Sequence, residues 1–118
     1  MSKVSSFYFL VRVNNRLFYE RKVISMNIRF AFNWRTSPYA DTHDTDANNV
    51  FIRQQEIYLN DLLKLRGYIY LNTIYETLGI KWDPDRNNIC LRYKPTDTKL
   101  HFAIRSLNEY GFDIDIVY

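Results

Sequence analysis

The chain has 118 residues, 47% of them hydrophobic and 17% aromatic, with ten tyrosines and a formal net charge of +3. That size and apolar content suffice for one core without disulfide or metal support, and a single cysteine, Cys90, excludes an internal disulfide. No apolar run approaches the roughly 20 residues that span a bilayer, and the N-terminus lacks the apolar stretch and cleavage site of a signal peptide, so a soluble, cytoplasmic protein with no membrane partner is expected.

The N-terminal third reads as strands. Phe7, Phe9, Val11 and Val13 alternate with Tyr8, Leu10 and Arg12, and Asn14-Asn15 tolerates the positive φ of a tight hairpin. Residues 17–19 return along the first strand, with a bulge or second turn near 21–23. From Ile24 the period-two pattern is clean: Ile24, Met26, Ile28, Phe30, Phe32 and Trp34 share one face, and Asn27, Arg29, Asn33 and Arg35 share the other. Up to Thr36 there are seven basic residues against Glu20 alone, a local +6, whereas residues 37–62 carry a local −4. Such asymmetry can steer a charged partner.

Residues 37–49, with four aspartates or histidines among turn formers, read as a surface loop. Asn48 or Asn49 then caps a helix that runs to Arg66 and stops at Gly67. Its predicted core stripe is Phe51, Tyr58, Leu62 and Leu65, helped by Leu59. Residues 67–71 form an extended link, Asn72 caps a brief helix over 73–78, and Gly79 closes it. Ile57-Tyr-Leu-Asn60 recurs as Ile69-Tyr-Leu-Asn72, too short a unit for a repeat array. Residues 80–82 and 89–93 read as a hairpin around the Asp83-Pro84 turn. Leu100, Phe102 and Ile104, then Phe112, Ile114 and Ile116 after a turn at 108–111, mark two more antiparallel strands. The expected fold is a single α+β domain over 1–118, an antiparallel sheet from both chain ends with a capped helix pair, about 49–79, packed on one face.

The segment from Leu63 to Ile80, with Leu65-Arg-Gly-Tyr68, Leu71-Asn72, Tyr75 and Leu78-Gly79 at its landmarks, resembles a segment of uncharacterised proteins from phages and mobile elements of low-GC Gram-positive bacteria. Residues 112–117, Phe-Asp-Ile-Asp-Ile-Val, resemble their acidic and aliphatic closing strand. The likeness runs from near Gln55 to the end. Where those proteins have a basic-Thr turn after the Leu-Gly helix end, this chain has Lys81-Trp-Asp-Pro84. The resemblance implies a phage or prophage setting, in a host cell, and assigns no chemistry.

Asp44-x-Asp46-x-Asn48 opens like a calcium loop, but an EF-hand counted from Asp44 needs glycine at Asn49 and glutamate at Gln55, so no metal site is expected. His101 has no partner motif for acid–base work, and phosphate-cradling glycine loops and zinc-spaced Cys/His sets are absent, so the expectation is a protein without catalytic residues or cofactor. Arg12, Asn27, Arg29, Asn33 and Arg35 form a candidate binding face for phosphates or a protein. Tyr39, Tyr68 and Tyr75 are candidate interface tyrosines, with Tyr93, Tyr110 and Tyr118 also expected near the surface. The leading functional expectation is a small non-enzymatic phage or mobile-element protein that binds and blocks a host protein complex, as an inhibitor of a defence system does. The alternatives are a nucleic-acid-binding accessory protein that uses the basic N-terminal sheet face, and a virion or assembly component.

Overall fold

The computed structural model describes residues 5–13, 16–24, 28–86, 89–96, 99–108 and 111–118. The Asn14-Asn15 turn, Asn27 and Tyr110 lie outside the described residues. The elements run β1 (Ser5–Val13), β2 (Arg16–Ile24), β3 (Ile28–Asn33), α1 (Thr45–Arg66), β4 (Tyr68–Tyr70), α2 (Leu71–Thr77), β5 (Ile89–Arg92), β6 (His101–Asn108) and β7 (Gly111–Val117), with a 3-10 turn at Pro84–Arg86. The fold is α+β and every strand pairing is antiparallel.

Strands from both chain ends do mix, but into two sheets rather than one. Their orders are β2-β1-β5-β4 and β3-β7-β6. The split falls between β2 and β3, so consecutive strands of the N-terminal third end up in different sheets. β1 and β2 pair over nine positions, from Ser5 with Ile24 to Val13 with Arg16, and β1 meets β5 at Tyr8–Cys90 and Phe9–Ile89.

The core lies where β3-β7-β6 faces the helices. Phe32, Phe102, Phe112, Ile114 and Ile116 from that sheet pack with Ile52, Leu59 and Leu63 of α1, Leu71, Ile74 and Leu78 around α2, and Ile69 and Leu91 of the other sheet. Phe30 stands edge-on to both Tyr75 and Phe102, with centroids 5.8 and 6.2 Å away. The alternation read for 28–33 holds, except that β3 ends at Asn33 and Trp34 is exposed; in β7 Phe112, Ile114 and Ile116 are buried as read, but Asp115, expected outward, is buried too.

α1 begins earlier than its expected cap. Asp44 is the N-cap and accepts a bond from Ala47 N at 3.0 Å, while Asn48 is buried inside the first turns. Its C-terminus is as read: Gly67 is left-handed at φ 84°, and its N–H donates to Leu63 C=O at 2.8 Å. The core stripe is phased differently. Ile52, Leu59 and Leu63 face inward, Phe51 and Leu62 flank them, and Tyr58 and Leu65 point to solvent. α2 starts at Leu71 without a side-chain cap, so Asn72 does not cap it. Gly79 does close it: Ile80 N bonds Tyr75 C=O and Gly79 N bonds Glu76 C=O, the paired bonds of a left-handed stop. Residues 80–82 are not a strand, because this stop turns the chain into a loop before the 3-10 turn.

Candidate functional site

β4 is an edge strand, and its alternation buries Ile69 and leaves Tyr68 and Tyr70 on the opposite face. The two rings stand edge to face with centroids 5.6 Å apart. After Tyr70 the chain enters α2, and Asn72, buried, turns its side chain across to the loop beyond α2. It accepts from Asp83 N at 3.1 Å and donates to Asp83 C=O at 3.3 Å.

That clasp holds the loop residue before Asp83 against the helix start. Asp83 is itself fixed, accepting from Asp85 N at 3.0 Å and pairing with Arg86 Nε at 3.2 Å. Trp82 therefore stands on a pinned backbone with 56% of its surface exposed. Between its ring and Tyr70 opens a pocket of about 280 Å³, lined by Tyr70, Asn72, Thr73 and Trp82. Trp82 and Tyr70 line this cleft, with Tyr68 against Tyr70, and tryptophan and tyrosine are residue types that anchor protein interfaces.

Two larger clefts flank α1, of about 360 and 420 Å³, sharing Asn60, Asp61 and Lys99. Asn60 and Glu56 among their lining residues hold the fold. Asn60 pairs with both Leu100 N and Leu100 C=O, at 2.8 and 2.9 Å. Glu56 accepts from Phe102 N at 2.9 Å, and Arg53 donates to Phe102 C=O at 3.0 Å and to Glu56 at 2.6 Å. His101 Nδ1 lies 3.3 Å from the same Glu56. One helix face thus takes the place of a neighbouring strand along the edge of β6.

The residues of the expected basic face come from strands of two sheets. Arg12 is on β1 and Arg29 on β3, and these strands belong to different sheets. Asn33 forms the turn after β3, accepting from Arg35 N and Thr36 N, and the Arg35 guanidinium lies 4.9 Å above the Trp34 ring. Arg29 donates through Nε to the fully buried carboxylate of Asp115 at 2.8 Å, and Arg105, at a bulge in β6, donates to the other oxygen at 2.5 Å. The hydrogen bond and the charge of Asp115, with Asp113 nearby, push the Arg29 guanidinium further up from its ordinary value. The arginines thereby sit among carboxylates, which reduces the field they offer a phosphate chain.

Of the candidate tyrosines, Tyr39 is exposed and packs on Phe51 at 5.6 Å, and Tyr68 is exposed and stands edge-on to Tyr70, which lines the aromatic pocket. Tyr75 is not at the surface: it is buried against Phe30, and burial pushes its hydroxyl up from the ordinary tyrosine value. Tyr118 is likewise buried, its hydroxyl donating to Arg92 C=O at 2.7 Å and accepting from Lys94 N at 3.1 Å. Burial pushes the Cys90 thiol up to about 11, the reverse of an activated nucleophile. In the acidic loop Asp41 accepts from His43 N and Asp44 N, so its carboxylate shapes the turn. Among the described residues no group of three or more His, Cys, Asp or Glu is placed to hold a metal ion, and no helix is long and apolar enough to cross a membrane.

Sequence reasoning missed Tyr70 and Trp82. The available signal was Trp82 itself, an aromatic residue in the polar segment Lys81-Trp-Asp-Pro84.

The profile of a family described as "Family of unknown function (DUF6353)" matches residues 13–111, and the chain belongs to that family. The matched span includes α1, β4, α2 and the Trp82 loop. No curated protein and no solved structure matches the chain.

Proposed function

We propose that this member of the DUF6353 family is a non-enzymatic binding domain that occupies the surface of a protein partner, with the Tyr70–Trp82 cleft and the adjoining Tyr68 as its anchor site. The observation that carries this reading is the exposed Trp82 on a backbone pinned by Asn72 and Asp83. A loop residue with no role in the core loses little by being polar, whereas a pre-positioned tryptophan offers a partner a large contact with little ordering entropy left to lose. The pocket beside it has room for one large apolar side chain.

The setting implied by the resemblance makes the partner a host protein complex and the consequence of binding its blockade. Nucleic-acid binding is the weaker reading, since Arg29 and Arg105 converge on Asp115. The test is capture from a lysate of a low-GC Gram-positive host, with nuclease and at moderate salt, using the wild-type chain and Trp82→Ala with Tyr68→Ala. The reading expects a protein retained by the wild type and lost with the double variant, whose thermal midpoint stays within a few degrees because both side chains are exposed. Retention of nucleic acid alone, or of the same protein by both chains, would overturn it.

A further inference from the structure

α1 carries a second apolar stripe, on the side away from the core. Val50, Ile57, Tyr58 and Leu65 are 54%, 64%, 52% and 83% exposed. At 100° per residue these four fall within an arc of about 100°, opposite Ile52, Leu59 and Leu63. The exposed Gln54 and Asp61 lie within the same arc, between the apolar residues.

The spacing of the stripe is palindromic. Val50 and Leu65 lie equally far from the midpoint between Ile57 and Tyr58, and so do Gln54 and Asp61, both exposed. We infer that this face is a homodimer seam, on which a second copy of the chain packs its own α1 antiparallel about a two-fold axis through that midpoint. The axis sets Val50 against Leu65 of the second copy, Ile57 against Tyr58, and the Gln54 amide against the Asp61 carboxylate, each contact occurring twice as an isologous interface requires. Charge selects this direction. The first turn of α1 is acidic at Asp46 and the last turn basic at Lys64 and Arg66, so the antiparallel arrangement brings unlike ends together and opposes the helix dipoles. A parallel arrangement would set Asp61 on Asp61 and Lys64 on Lys64.

The contact is modest. From position 50 to 65 the seam is about 23 Å long at 1.5 Å per residue, less than an interface burying about 800 Å² per partner requires, so the dimer population depends on concentration. The seam lies on α1 and the proposed anchor cleft on β4, α2 and the following loop, and neither inference depends on the other.

The test is sedimentation equilibrium of the full chain from low micromolar to several hundred micromolar, together with Leu65→Glu and the cysteine variants Leu65→Cys and Val50→Cys with Leu65→Cys. All these positions are exposed, so folding is not at stake, and the buried Cys90 stays out of the cross-linking. The mass should rise toward twice that of the chain, with Leu65→Glu weakening association at least about tenfold. Under mild oxidation the double cysteine variant should give a covalent dimer and Leu65→Cys alone should not. A chain that stays monomeric over the whole range, or a Leu65→Cys variant that cross-links as well as the double variant, would overturn the antiparallel seam.

Discussion

Gly67 and Gly79 both hold left-handed backbone, at φ 84° and 73°, yet they differ in what surrounds them. A Cβ at Gly67 meets nothing within 4 Å, whereas one at Gly79 would lie 2.7 Å from Ser37 Oγ and under 3 Å from the Tyr39 ring. Ser37 cannot move freely, since it is buried and its hydroxyl donates to Leu78 C=O at 2.5 Å. Gly67→Ala is expected to cost about 1 kcal/mol from backbone strain alone, and Gly79→Ala about 3 kcal/mol from strain plus overpacking. Urea denaturation of both variants checks the order, and equal costs would contradict the packing of the Ser37–Tyr39 turn on the end of α2. Both glycines are legible from sequence as helix stops; their unequal cost is not, because it depends on a contact between residues some forty positions apart.

Three asparagines do one job between elements. Asn48 pairs with N–H and C=O of Asp41 at 2.7 and 2.8 Å, Asn60 does so with Leu100, and Asn72 with Asp83. Each side-chain amide supplies one donor and one acceptor, as a peptide group does, and so ties a helix to an irregular segment or a strand edge. At Asn60 the fit has a metric cause. Glu56 and Asn60 are about 6 Å apart along α1, close to the roughly 6.8 Å between Leu100 and Phe102, so one helix face can satisfy alternate backbone groups of an edge strand that would otherwise invite aggregation. Asn60→Asp and Asn72→Asp keep the shape but replace the donor by a second acceptor facing a carbonyl. Each should lower stability by about 1–3 kcal/mol near neutral pH, read from thermal or urea unfolding, and an unchanged midpoint would show that the clasp is not held in solution. The recurrence of Ile-Tyr-Leu-Asn was visible in the sequence. The shared role of its two asparagines was not, since one copy lies within α1 and the other spans β4 and the start of α2.

At the scale of the molecule, the α+β class and most element boundaries could be read from period-two and helical patterns, because strands such as β3 and β7 have one covered face. What could not be read is which strands share a sheet. The same alternation is satisfied by one sheet or two, and β2 and β3 follow each other in sequence while pairing in different sheets. The helix stripe was mis-phased for a related reason: α1 is apolar on two opposite faces, and periodicity alone does not say which faces the core. Two relations of the candidate basic face were not legible either: Arg12 and Arg29 are not sheet neighbours, and Asp115, expected among the outward residues of its strand, is buried beneath Arg29 and Arg105. The aromatic cleft proposed as the anchor has its central residue, Trp82, in a loop where no periodic pattern applies.

The most direct test of that claim is a hydrogen-exchange footprint of the chain with its captured partner. Binding through the cleft predicts slowed exchange over residues 68–73 and 81–83, with β3, β6 and β7 unchanged between free and bound protein. Protection confined to the outer face of the β3-β7-β6 sheet, around Arg29 and Arg105, would contradict it.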